Sequence, residues 1–215
     1  MLVTTQQLIK AFVDTILMVS WSLFIGTLIA IPLALILVLT RPDGILQNKY
    51  VYSIFNVVIN ILRSLPFIIL LVAIMPFTRL VVGTSIGIKA AIVPLIVYIA
   101  PYISRLIENS LLEVDRGIIE ASQAMGATTY QVIRYFLIPE AMPSLVLSIT
   151  TATIGLIGAT AMAGTVGAGG VGDIAISYGY ERFDTLVMVI TVLILIAVVQ
   201  LVQNIGNYVS RKLRY

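Results

Sequence analysis

From residue 15 to residue 39 the chain carries no charged side chain, and four more long apolar runs follow it. A helix needs about 20 predominantly apolar residues to cross the hydrocarbon of a bilayer. A backbone placed in lipid must also satisfy its own hydrogen bonds, which leaves helices as the natural form for such runs. The chain is therefore expected to be an all-α integral membrane protein. Composition agrees: apolar residues make up 60% and charged residues 11%, with a mean hydropathy of +1.07. A soluble domain lies nearer half apolar and a quarter charged. The first run is too long for the apolar part of a cleaved signal peptide, and no small-x-small site closes it before the charged loop, so it reads as a retained span.

Five spans are expected, at about 15–39, 53–75, 90–112, 139–165 and 186–205, in a single transmembrane domain covering 1–215. Arg41-Pro42-Asp43-Gly44 ends the first with a turn signal. Asn56, Asn60, Arg63 and Pro66 interrupt the second. A short loop, 76–89, precedes the third, which Pro94 and Pro101 should kink because each removes a backbone donor. A polar segment, 113–138, separates the third span from the fourth, and a glycine-rich loop separates the fourth from the fifth.

Lys and Arg are unevenly shared between the two ends of these spans. One side collects Arg41, Lys49, Arg116, Arg134, Arg211, Lys212 and Arg214, and the other holds Lys10, Arg79, Lys89 and Arg182. The positive-inside rule then places segment 113–138 and the C-terminus in the cytoplasm and the N-terminus outside. The same rule accounts for the net charge of +3 without any appeal to nucleic acid. The chain has neither Cys nor His, which excludes disulfides, thiol redox chemistry, imidazole-held zinc and His-based acid–base catalysis. It also has no G-x-x-x-x-G-K-[ST] phosphate cradle, so any ATP chemistry must belong to a partner.

Segment 113–138 is the part that lipid alone does not explain. It reads as two short helices joined by a turn. Asp115 is placed to cap the first helix, Gly126 to end it in the left-handed conformation, and Thr128 with Gln131 to form a capping box for the second. Pro139 suits the first turn of the fourth span. Ile118, Ile119, Ala121, Ala124 and Met125 read as part of one apolar helix face. A helix lying on the membrane surface is the plainer interpretation, but such helices are usually rich in Lys and Arg. Residues 117–129 contain neither. The small side chains Ala121, Ser122, Ala124 and Ala127 fit insertion into a protein groove better.

The motif Glu120-Ala121-Ser122, Gly126, nine further residues and then Phe136-Leu137-Ile138-Pro139 resembles the signature of permease subunits of ABC-type importers. Ser122, Phe136 and Ile138 are mild departures from its Ala, Ile and Leu. The resemblance implies a type I ABC importer permease fold of five transmembrane helices with a cytoplasmic coupling helix. Glu120, Ala121, Ser122, Met125, Gly126, Ala127 and Pro139 would then be the ATPase-coupling positions. Residues 61–71, 76–79, 82–87 and 164–170 narrow the likeness to the methionine-importer permeases. That family implies a multi-pass protein of the bacterial inner membrane, acting as a homodimer with two cytoplasmic ABC ATPases and an extracytoplasmic methionine-binding lipoprotein. ATP and Mg would sit on the ATPases, and this chain would hold no cofactor. Alternating access would be driven by closure and separation of the ATPases.

Other features admit two readings. Gly167-Ala168-Gly169-Gly170-Val171-Gly172 fits G-x-G-x-x-G, but that fingerprint requires a βαβ unit. Here the run reads as a flexible extracytoplasmic turn where a backbone or a binding protein approaches closely, with a plain loop as the alternative. Thr160, Met162 and Gly164 lie among small residues that either pack helices closely or line a transport pathway, with Met162 as an apolar plug. Arg63 is either an interfacial anchor or a pathway group. Arg105 and Glu108 can pair on one helix face. An importer of another amino acid or small solute remains an alternative. A gated channel is a more distant one, because these spans show no continuous polar lining.

Overall fold

A computed structural model describes residues 3–214, and every regular element among them is helical. α1 (Thr5–Thr40) starts on a capping box: Thr4 Oγ1 accepts from Gln7 N, and Gln7 Oε1 accepts from Thr4 N at 2.8 Å. It ends at Arg41, whose extended backbone suits the residue before a proline. α2 (Lys49–Ser64) is capped by Asn48, which accepts from Tyr50 N and Val51 N at 3.1 Å. α3 (Phe67–Ala73) follows at an angle of 102° to α2, so the expected second span is a bent pair. Leu65 is extended ahead of Pro66, which itself has no N–H to continue the ladder.

The expected loop at 76–89 is largely helical instead. α4 (Met75–Val82) carries Pro76 in its first turn, where a missing N–H costs nothing, and ends at Gly83. α5 (Ile88–Leu112) runs unbroken through Pro94 and Pro101. α6 (Arg116–Ala124) and α7 (Thr129–Gln131) come next, and a π-helical stretch, Val132–Leu137, joins α7 to α8 (Ile138–Gly164). The fourth span therefore does not start afresh at Pro139. Ile138 N donates to Ile133 O, five residues back, so the helix enters the proline in a wider register and continues. α9 (Val171–Ile174), a second π-helical stretch, Ala175–Tyr180, and α10 (Thr185–Lys212) complete the chain.

Among the described residues, four helical stretches are long and apolar enough to span a membrane, or five if the bent α2–α3 pair is one span. The core lies where α1, α5 and α8 meet, around Met18, Leu95, Ile99, Ile103 and Leu156. α1 and α5 approach so closely that a Cβ on Gly26 would stand 2.5 Å from Ile99 Cγ2. α10 packs on α8 from outside. Gly206 sits against the Thr150 side chain there, and the Ser210 hydroxyl donates to Pro143 O at 2.9 Å. The outer face of α10 presents Leu193, Ile196, Leu201 and Ile205, and the outer face of α1 presents Trp21, Phe24 and Leu28. Large aliphatic and aromatic side chains on an unpaired face suit a hydrocarbon environment.

The glycine-rich turn is packed rather than loose. Gly170 (φ +90°) lies against Thr15 and Met18 of α1, and Thr15 Oγ1 accepts from Val171 N at 2.9 Å. Gly167 O accepts from Gly87 N at 3.1 Å. Close backbone approach, not flexibility, explains these glycines.

Candidate functional site

Segment 113–138 is closed by its own hydrogen bonds at each helix end. Asp115 Oδ1 accepts from Gly117 N at 2.6 Å and caps α6. At the other end, Ala127 N donates to Ser122 O and Gly126 N to Gln123 O, at 3.1 and 2.9 Å. That pair of bonds is a Schellman motif, which requires a left-handed residue at Gly126. Gly126 has φ +81°, and nothing lies within 4 Å of a Cβ built there, so the demand is conformational and not steric. The Thr128–Gln131 capping box is present, with Thr128 N donating to Gln131 Oε1 at 2.8 Å. Buried Val132 and Leu137 fix the following stretch to the body.

These bonds orient α6 in a way its sequence pattern did not. Ile118 and Ile119 pack against the core, and Ser122 is 0% exposed with its hydroxyl donating to Ile119 O at 2.7 Å. Ala121, Ala124 and Met125 point the other way, with Met125 72% exposed. The single apolar face expected over 118–125 is thus two faces, one spent on the body and one free. Glu120 and Gln123 line a cleft of about 430 Å³ between α6 and the turn after α1, which Arg41, Asp43 and Arg116 also border. Ala127 is half-buried behind the turn, and Pro139 is exposed beyond the π-helical stretch.

The expected pathway residues divide between environments. Met162 is 51% exposed. It belongs to a stripe of exposed residues with Thr151, Gly155 and Gly158 on α8 and Thr165 at its C-cap, spaced three and four apart on one helix face. Thr160 is buried, its hydroxyl donating to Ile157 O at 2.7 Å. Gly164 is buried against the backbone of Asp173, whose N would lie 2.5 Å from a Cβ. Arg63 stands apart on α2, exposed, with its guanidinium 6.0 Å from the Tyr102 ring centroid.

Sequence reasoning anticipated the Arg105–Glu108 pair, which is 2.6 Å long. It missed that Arg105 also donates to Asn56 Oδ1 at 2.6 Å and Asn60 Oδ1 at 3.0 Å. The available signal was the spacing of those two asparagines, one turn apart in an otherwise apolar stretch. It missed as well the cleft between α6 and the 41–45 turn. At the far end of the molecule, burial raises the Asp173 carboxyl above its ordinary range. The Ser177 hydroxyl, 3.2 Å away, opposes the shift and Glu181 adds to it.

Residues 22–215 match the family described as binding-protein-dependent transport system inner membrane component. A probable D-methionine transport system permease protein of Vibrio cholerae is 47% identical over 205 residues, covering 95% of this chain and 91% of the relative. The D-methionine transport system permease protein of Escherichia coli K12 is 50% identical over 157 residues, 73% of this chain and 72% of that one. Among solved structures, an inward-facing conformation of a methionine ABC transporter superposes with a TM-score of 0.96 at 45% identity over 98% of both chains.

Proposed function

This chain belongs to the family of binding-protein-dependent transport inner membrane components, and from that premise we propose that it is the permease subunit of an ATP-driven methionine importer. It spans the inner membrane several times and performs no ATP chemistry of its own. Two copies form the pathway, with two ATPases on the cytoplasmic side and a methionine-binding protein outside. The N-terminus faces outward and the C-terminus the cytoplasm, as the distribution of Lys and Arg favours.

The observation that carries the proposal is the outward face of α6. Ala121, Ala124 and Met125 are apolar, closely spaced and free, on a helix locked at both ends by Asp115 and Gly126. A small-residue face on a pre-organised helix is suited to a protein groove, since little ordering entropy remains to be lost on docking. Glu120, Ala121, Met125 and Gly126 present or shape this face. Ser122, Ala127 and Pro139 hold it at its angle to α8. Closure of the ATPases draws the two copies of α6 together and opens the spans outward, and separation returns them. Met162 and Arg63 face the pathway in this scheme, while Thr160 and Gly164 hold the helix that carries Met162.

Uptake of radiolabelled methionine into proteoliposomes containing the chain, its ATPase and its binding protein tests the function. The expected result is accumulation with ATP and none without it. Equal uptake in both conditions would indicate a channel. A different solute stimulating ATP turnover would retain the importer and replace its substrate.

A further inference from the structure

The two halves of the bent second span are held by different means. α3 buries Phe67, Leu70 and Leu71 within seven residues. α2 is 16 residues long, yet buries only Ile59. Its apolar grip on the body is therefore slight, and polar side chains reinforce its contact with α5, while α1 flanks it as well. Arg105 of α5 reaches Asn56 and Asn60 through one terminal nitrogen and Glu108 through the other. Glu108 is buried, which holds the guanidinium plane against α5 and aims its second nitrogen at α2. Towards the bend the contact continues, with Arg63 over Tyr102 and Phe67 edge-on to Tyr98 at 5.2 Å. The other end of α5 passes to α6 within three residues, 113–115.

We propose that Arg105 is a positioning residue for transport, whose fork onto Asn56 and Asn60 makes α2 move with α5 when α6 is displaced. The inference rests on the proposed docking role of α6. Displacement of α6 reaches α5 directly, because the link is short and Asp115 is fixed as a cap. α3 is held to α5 by Phe67 against Tyr98, and the Arg105 fork holds α2 to the same helix. The extended Leu65 and the missing N–H of Pro66 interrupt the helical bonds between α2 and α3, so α2 depends on its side-chain contacts for its position. α2 is in effect a lever, and the fork attaches it to the moving part.

The test uses the complete transporter in proteoliposomes and reads ATP hydrolysed per methionine accumulated. The N56L/N60L double variant removes both acceptors with side chains that branch at the same carbon and leaves the buried Arg105–Glu108 pair intact, since breaking that pair would strand a charge. The proposal expects the ratio to rise about fivefold or more, uptake falling while ATP turnover stays within about twofold. A merely structural role would lower both rates together and leave the ratio unchanged, and that result would overturn the proposal. R105K keeps a cation beside Glu108 but loses the planar fork. It should show the same shift in smaller measure even where the double variant fails to assemble, and an unmodified ratio in R105K counts against the fork. Absence of ATP-dependent uptake by the unmodified transporter would instead remove the reading of α6, and the lever with it.

Discussion

α6 and α10 both turn apolar residues outward, but they do so with different chemistry. α10 shows Leu193, Ile196, Leu201 and Ile205, large aliphatic side chains on a long helix bordered by few polar groups. α6 shows Ala121, Ala124 and Met125 beside Glu120 and Gln123, on nine residues clamped by caps. Lipid accommodates bulk and imposes no register, so the α10 face needs only to be apolar. A protein groove demands close approach and a fixed angle, which the small side chains and the Schellman turn of α6 would supply in the proposed docking. Exposure alone does not separate a lipid face from a docking face; side-chain size and end constraints do.

The contrast can be broken most directly by adding bulk to each face. A124W should lower binding-protein-stimulated ATP turnover and uptake by about tenfold or more, equivalent to about 1.4 kcal/mol of lost docking. L193W should leave both close to the unmodified rates. Equal losses would erase the distinction between the faces. The inner side of α10 offers the complementary test, because Gly206 meets Thr150 of α8 there. G206V should cost about 1–3 kcal/mol through overpacking, read as a lower melting temperature in detergent.

The constraint on the angle of α6 is probed by G126V. A β-branched residue held left-handed costs about 1–2 kcal/mol, so the turn should loosen and stimulated ATP turnover fall, while membrane insertion measured by fractionation is unchanged. The smallest effect belongs to Asp173. Its folded pKa is raised, so its contribution to stability is complete below the unfolded pKa and is lost as pH rises through the folded one. D173N should remove that slope. The melting temperatures of D173N and the unmodified chain should diverge in favour of D173N as pH increases, a difference worth less than about 1 kcal/mol for a group only partly buried.

Local chemistry was legible in the sequence wherever one residue type had one physical use. The Asp115 cap, the Thr128–Gln131 box and the left-handed Gly126 follow from spacing alone, and the apolar runs forecast the spans. Choices between equivalent local solutions were not legible. Ile118, Ile119, Ala121, Ala124 and Met125 are all apolar, and only tertiary packing decides that the isoleucines turn inward and the others out. Pro139 reads as a helix start, but the π-helical stretch before it carries the helix through. Residues 75–82 read as a loop around Pro76 because a proline that breaks a helix and one that begins it look alike in sequence. The link from Arg105 to Asn56 and Asn60 joins positions 49 and 45 apart in the chain, beyond the reach of any periodicity.

The central claim is that the free face of α6 meets the ATPase. The chain has no Cys, so a single cysteine carrying a photoactivated cross-linker reports one position without background. In the assembled transporter, labelled M125C should form an adduct with the ATPase on illumination, and labelled L201C, on the outer face of α10, should form adducts with lipid alone. An ATPase adduct from L201C with none from M125C would contradict the account.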